Sequence, residues 1–264
     1  RYRLLTTGPR TVARRHQTLQ ALIDWSYDLC TPDEQLLWAR ASVFVGDFDL
    51  EAAETVCAGE GLARDDIVDA IAGLTDKSIL LCENHGPVVR YRLLETIRHY
   101  GRKRLIASGD EPVLRRRHRD YFQRMAASAN AEVFGPNQVQ WFNRLHLEHV
   151  NLRAALAFCR DQPGEDGVGL QLASDLLYHW ITGYYLNEGR HWLRTMLSID
   201  TARDEARVTA LWSASWLAIF HADVDEAQAL LDEARALATD VGATTALGYI
   251  EQFTGFADMY SGDV

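Results

Sequence analysis

A repeated pair of helices in the second half of the chain restricts the fold more than any other feature. Residues 210–238 read ALWSASWLAIFHADVDEAQALLDEARALA, two helical segments joined at Ala222-Asp223. Small side chains recur where the two helices would touch, at Ala214, Ser215, Ala218, Ala227 and Ala234. Residues 248–264 restart the pattern, and Gly262-Asp263 follows Ala222-Asp223 by 40 residues. A recurring unit of this size predicts stacked helical hairpins in an α–α superhelix.

The first third of the chain combines helices with two short β-prone runs. Four helices are predicted. The first spans 16–29, the second begins after a capping-box pattern at Thr31-Pro-Asp-Glu34, and the others span 50–59 and 65–77. The last of these has an apolar face of Ile67, Ile71 and Leu74. The runs SILLCE and VVRYRLL then lie a hairpin's distance apart around NHGP. Several helices closed by a two-stranded antiparallel hairpin form the outline of a winged helix, and from Glu95 onward the pattern is helical throughout.

The composition is that of a soluble globular protein, with 47% hydrophobic and 24% charged residues. No apolar run approaches the roughly 18 residues that suggest a membrane span, so no membrane partner is expected. Four scattered cysteines, without a CxxC pair, indicate a reducing, cytoplasmic location. Residues 1–120 carry 18 basic and 18 acidic side chains, and residues 121–264 carry 9 and 19. This break in charge balance favours two modules.

Several strings then resemble one family: QTLQALIDWSYDL, ASVFVGDFDLEAAETVCAG, LTDKSIL, RYRLLETIRHYGRKRL and LEHVNLRAALAF. They are similar to the middle region of large actinobacterial regulators of the signal-transduction ATPase (STAND) class, some with a LuxR-type helix-turn-helix. The resemblance implies the tail of an ATPase module at 1–15, a winged helix at 16–108 and tetratricopeptide-like repeats at 109–264. The spacing of 40 residues exceeds the ~34 usual for tetratricopeptide repeats. A chain that begins on Arg1 and ends inside a repeat is expected to be a fragment.

The resemblance also implies how nucleotide would be sensed. Related proteins carry Met-His-Asp where this chain has Leu93, Leu94 and Glu95, and their histidine contacts the β-phosphate of ADP. Leu94 cannot donate that hydrogen bond. His16, Arg92 and Arg98 are either substitutes that face nucleotide or ordinary polar side chains. ATP or ADP with Mg²⁺ is implied for a nucleotide-binding domain outside this chain, which itself has no GxxxxGK[ST] loop and therefore no expected cofactor.

Enzyme and metal chemistry have little support in the sequence. GxSxG, HExxH and EF-hand patterns are missing, so we expect no enzyme activity. His146 and His149, three residues apart on one predicted helical face, are candidate metal ligands, but two ligands without a third favour a solvated or interhelical pair, and no metal site is predicted. The basic stretch 98–119 is a DNA candidate, yet the predicted third helix at 64–77 is acidic. That favours packing of the basic stretch within the protein.

Aromatic side chains supply the main candidate site. Tyr178, Trp216 and Phe256 occupy equivalent repeat positions, 38 and 40 residues apart, while Trp212, Trp216 and Phe220 form a stripe along one helix. These five rings either line a groove for a small-molecule inducer or protein partner, or are buried between helices.

The sequence thus favours a non-enzymatic sensor and coupling region of a transcriptional regulator. Its partners would be its own nucleotide-binding domain and an inducer or protein on the repeats, with DNA bound by a helix-turn-helix outside this chain. The alternative is a DNA-binding winged helix with a helical-repeat dimerisation domain.

Overall fold

The computed structural model describes residues 20–85 and 88–261, which are mainly helical. The predicted ATPase tail at 1–15, His16 and Gly262-Asp263 lie outside the described residues. The chain forms two compact units, divided between Arg117 and His118.

The first unit contains helices and one small sheet. A helix, α1, is described over residues 20–28. The remaining elements up to the unit boundary are α2 (Pro32–Ala41), α3 (Leu50–Cys57), a short 3-10 helix (Arg64–Asp66), α4 (Ile67–Asp76), β1 (Leu80–His85), β2 (Val88–Leu93), α5 (Glu95–Ser108) and the start of α6 (Glu111–Ala131). The predicted order of helices followed by a hairpin is confirmed.

Local sequence signals explain these boundaries. The capping box is present, since Glu34 N donates to the Thr31 hydroxyl and Thr31 N donates to the Glu34 carboxylate at 2.8 Å. The two strands are antiparallel, with Leu80 opposite Leu93, and Phe48 forms a bridge to Tyr91 on β2. The predicted apolar face of α4 is buried. The capping box and the face of α4 depend on residues a few positions apart, which is why the pattern predicts them, whereas the Phe48–Tyr91 bridge joins distant segments and was not predicted.

The core of the first unit lies between α2, α4 and α5. Trp38 is fully buried and donates from Nε1 to the Ile97 carbonyl at 2.9 Å, with its ring 5.3 Å from that of Tyr100. Arg40 is also buried, and it donates to the carbonyl of Cys57, the last residue of α3, and to that of Glu60 three residues later. It thereby satisfies one backbone acceptor that the end of α3 leaves unpaired.

The second unit is built of helices alone within its described residues. They are the rest of α6, α7 (Gln138–Leu147), α8 (His149–Asp161), α9 (Asp166–Asp175), α10 (Leu177–Thr182), α11 (Leu186–Ile199), α12 (Glu205–Phe220), α13 (Val224–Val241) and α14 (Thr244–Ser261). Three residues connect α12 to α13, and Asp223 caps α13. The predicted helical hairpin at 210–238 is present. All five small side chains predicted to face its interior are buried.

The helical pattern predicted from Glu95 onward runs without interruption through 137–161 and 168–182, but each of these segments forms two helices. Glu148 separates α7 from α8, and Leu176 separates α9 from α10. Both residues are fully buried. Burial of the side chains at the two breaks is a tertiary effect that helical periodicity does not register.

Gly189 on α11 lies close to Trp180 on α10, and a substitution at Gly189 tests how tightly the two helices pack. A Cβ added at Gly189 would lie 2.4 Å from Cγ of the buried Trp180. We expect Gly189→Ala to lower the free energy of unfolding by about 1–3 kcal/mol through overpacking. Gly248 on α14 is the matched control, because no described atom beyond the helix lies within 4 Å of its added Cβ. Gly248→Ala should stabilise by about 0.5–1 kcal/mol in urea unfolding.

Candidate functional site

The candidate site is a connected set of aromatic side chains in the second unit. The rings come from the turn after α6 and from α10, α12 and α14. They are Phe134, Tyr178, Trp212, Trp216, Phe220, Tyr249, Phe253 and Phe256, together called the aromatic row.

Trp216 lies at the centre of the aromatic row. Its ring centroid is 5.6 Å from that of Tyr178 in an edge-to-face contact, 4.6 Å from Phe253 and 6.0 Å from Phe220. Helical spacing places Trp216 and Phe220 on one face of α12, four residues apart. The row therefore links three helices through ring contacts of the kind that stabilise aromatic clusters.

Further ring contacts continue the aromatic row on both sides of Trp216. Phe134 packs edge-to-face on Tyr178 at 5.3 Å. At the other side, Trp212 stacks on Tyr249 at 4.8 Å with an interplanar angle of 9°. Phe253 continues to Phe256 at 6.2 Å. The result is a continuous set of ring contacts that joins the turn after α6 to α10, α12 and α14.

The row has a buried floor and an exposed rim. Trp212 and Phe253 are buried, and Tyr178 and Trp216 are half-buried. The rim residues remain exposed: Phe134 at 77%, Phe220 at 49%, and Tyr249 and Phe256 at 40% each. Exposed aromatic patches mark binding surfaces more often than scattered apolar residues do.

The five predicted rings belong to this one row, but their environments differ. Trp212 is part of the core, whereas Phe220 and Phe256 are open to solvent. Sequence reasoning missed Tyr249 and Phe253, although they precede Phe256 at helical spacing and repeat the stripe seen on α12. Phe134 lies in a turn, where no periodic signal could have identified it.

A histidine cluster lies elsewhere in the same unit. His149 Nδ1 and His179 Nε2 are 3.0 Å apart, and His149 Nε2 lies 3.2 Å from the Glu188 carboxylate. Tyr185 stacks on His149 at 3.9 Å. Burial lowers the pKa of His179 to about 3, and it also lowers the pKa of His149. The contacts are satisfied when His149 donates to Glu188 and accepts from His179, with both rings neutral.

His146 and His149 lie on two helices and not on one, because Glu148 separates α7 from α8, but both histidines contact Tyr185. His146 lies in the last turn of α7 with Nδ1 3.2 Å from the Tyr185 hydroxyl, while His149 begins α8 and pairs with His179. Across residues 20–85 and 88–261, no three His, Cys, Asp or Glu side chains are grouped as metal ligands.

The nucleotide-facing candidates lie around the end of β2. Leu94 is 44% exposed at the N-terminus of α5. Arg92 pairs with Glu83 at 3.1 Å, and Arg98 makes a bidentate pair with Glu95. The two guanidinium groups are therefore already engaged with carboxylates.

Much of the basic stretch 98–119 is engaged in internal contacts. Arg102 pairs with Glu111 at 2.9 Å, and Arg104 donates to the Tyr100 hydroxyl. Arg117 donates to the Ala58 carbonyl, and Arg119 forms a buried ion pair with Glu165 at 2.6 Å. These contacts leave fewer basic groups for an external anion than the sequence suggests.

Comparison with known proteins gives two groups of relatives. A protein of Mycobacterium tuberculosis and one of Mycobacterium bovis, each named "Putative HTH-type transcriptional regulator", are 38% identical to this chain over 255 residues. The alignment covers 93% of this chain and 29% of each relative. An "Uncharacterized protein" of M. tuberculosis is 33% identical over 124 residues, which is 47% of this chain and 32% of that protein.

The chain thus spans less than a third of the length of these relatives. It matches no protein-family model, and no solved structure is significantly similar to it. None of the described helices is both long and apolar enough to cross a membrane.

Proposed function

We propose that this chain is the sensing and coupling part of a longer transcriptional regulator. The first unit would act as a winged helix that transmits the nucleotide state of a STAND-type ATPase domain elsewhere in the protein. The second unit would act as a tetratricopeptide-like superhelix that binds an inducer or protein partner. The observation that carries this proposal is the continuous aromatic row, since its exposed rim is a costly surface unless something binds there.

The relatives support the regulatory half of the proposal. Identity of 38% extends over nearly the whole chain, so both units have counterparts in proteins named as HTH-type regulators. A helix-turn-helix for DNA would lie in the part of the regulator that this chain does not span.

Direct contact between this chain and a nucleotide phosphate has no support in the described residues. Leu94 has no hydrogen-bond donor in its side chain, and Arg92 and Arg98 are paired with carboxylates. Coupling to an ATPase domain would therefore act through the surface around Leu94 and not through a phosphate contact.

Direct DNA binding by the first unit is the weaker candidate function. The exposed surface of the 3-10 helix and α4 carries Asp65, Asp66, Asp69 and Asp76. In a winged helix this element meets the DNA backbone, where carboxylates are repelled by phosphate. The basic stretch is largely paired within the protein, which weakens the alternative further.

The proposal is tested by Trp216→Ala in the longer regulator. We expect cells with this variant to have the transcript profile of a strain lacking the regulator, because the change removes the half-buried central ring of the proposed ligand-binding surface. RNA sequencing measures the effect. Val139→Ala is the control, since Val139 is 67% exposed on α7 of the second unit and lies outside the aromatic row, and its profile should match wild type.

A stability measurement on the same variants separates binding from folding. Trp216→Ala should stay folded by circular dichroism. A loss of about 3–5 kcal/mol in urea unfolding would identify Trp216 as a core residue and contradict the proposal. An unchanged transcript profile in a folded variant would contradict it as well.

A further inference from the structure

One buried carboxylate beside the aromatic row has an open hydrogen-bonding position. Asp175 is 7% exposed, and its Oδ1 accepts from Asn130 at 3.2 Å and Gln171 at 3.0 Å. Its Oδ2 is buried without a hydrogen-bond partner. No cationic side chain among the described residues pairs with Asp175. Burial raises the pKa of this carboxyl. Buried carboxylate oxygens are normally matched by a cation or a hydrogen-bond donor, so Oδ2 of Asp175 is the atom that lacks its partner.

Asp175 lies next to one end of the aromatic row. Asn130 and Asp175 are hydrogen-bonded, and Phe134 and Tyr178 are in ring contact at 5.3 Å. Phe134 follows Asn130 by four residues and Tyr178 follows Asp175 by three. The polar pair and the ring pair are therefore about one turn apart along the same two chain segments.

Phe134 is the exposed aromatic side chain at the end of the aromatic row nearest Asp175. It is 77% exposed and belongs to the turn between α6 and α7, outside any helix. Among the described residues, its ring contacts only that of Tyr178, so rotation of the exposed Phe134 ring disturbs little packing.

We propose that Phe134, Tyr178 and Asp175 form the subsite for the ammonium group of an organic amine whose flat apolar body lies along the aromatic row. This rests on the proposed ligand-binding function of the row and adds the chemical class of the ligand. The ammonium N–H donates to Asp175 Oδ2 once the Phe134 ring moves aside. The adjacent ring faces attract the cation through their negative electrostatic potential. A primary or secondary amine fits, because a quaternary ammonium has no N–H for Oδ2.

The test compares two probes that differ only in the charged group, phenethylamine and phenethyl alcohol. We expect the chain to bind the amine at least about tenfold more tightly than the alcohol in calorimetric titrations, through a charge-assisted hydrogen bond. Asp175→Asn should reduce that preference to about twofold or less, with the affinity for the alcohol unchanged. Asp166→Asn, which removes one negative charge at the start of the same helix, should retain the full preference.

A second measurement covers the case in which Asp175→Asn does not fold. In the wild-type chain, lowering the pH while the amine stays charged should reduce the preference, because a protonated Asp175 no longer attracts the cation. Equal wild-type affinities for the two probes, no binding of the amine, or an undiminished preference in folded Asp175→Asn would each overturn the inference. None of these results changes the transcript profile of Trp216→Ala, so the failure of the subsite and the failure of the proposed function are distinguishable.

Discussion

Arg119→Met is expected to lower the free energy of unfolding of the second unit by about 3–5 kcal/mol. Arg119 is 4% exposed and Glu165 is 7% exposed, with Nη1 and Oε2 at 2.6 Å. The substitution keeps apolar volume beside Phe158, over which the guanidinium lies at 5.8 Å. It removes the cation from a carboxylate that has lost its water, and that penalty exceeds the effect of lost packing. Urea unfolding followed by circular dichroism measures it.

An exposed ion pair of the same unit provides the control for Arg119. Arg160 pairs with Asp161 at 2.7 Å, but the two side chains are 43% and 50% exposed. Arg160→Met should change stability by no more than about 0.5 kcal/mol, because water screens the pair. If Arg119→Met costs under about 1 kcal/mol, the Arg119–Glu165 pair is not desolvated in solution and its structural role is smaller than the geometry implies.

Acidification is expected to destabilise the second unit through the histidine cluster. The pKa of His179 is about 3 in the folded protein and 6.5 in its ordinary state. Between pH 6.5 and about pH 3, His179 is protonated in the unfolded chain but stays neutral in the folded chain. The free energy of unfolding therefore falls as the pH decreases. At about pH 4.5, the loss from His179 amounts to about 2–3 kcal/mol relative to pH 7. The lowered pKa of His149 acts in the same direction.

His179→Gln isolates this contribution from the titration of carboxylates. Glutamine keeps an Nε2 donor for His149 but does not titrate. The difference in unfolding free energy between about pH 7 and pH 4.5 should therefore be about 2 kcal/mol smaller in this variant. His191→Gln alters an exposed histidine and should show the wild-type pH dependence. Parallel pH profiles for wild type and His179→Gln would show that His179 is accessible to protons in the folded state.

The sequence predicted five of the eight rings of the aromatic row, and it did not predict Phe134, Tyr249 or Phe253. Trp212, Trp216 and Phe220 could be grouped from the sequence because residues four apart on a helix share a face, and ring contacts join this stripe to Tyr178 and, through Phe253, to Phe256. Their division into floor and rim was not predictable. Trp212 and Phe220 belong to the same stripe, yet Trp212 is 8% exposed and Phe220 is 49% exposed. The difference comes from α14, whose Tyr249 and Phe253 cover only the first of them.

The sequence by itself determined the features that depend on neighbours along the chain. The capping box at Thr31 and Glu34, the buried face of α4 and the helical hairpin of α12 and α13 all follow from the spacing of side chains within a few turns. Local hydrogen bonds and helical periodicity act over that distance, so the residue pattern contains the information.

Only the tertiary structure decided which side chains from distant segments meet. His149 and His179 are 30 residues apart and Asn130 and Asp175 are 45 apart, and neither pair belongs to a recurring pattern. Tertiary structure also decided which apolar side chains are buried: Trp25 on α1 is apolar, yet it is 63% exposed. Burial, pairing and pKa are set by the atoms that surround a group in space, and those atoms come from parts of the chain that local periodicity does not connect.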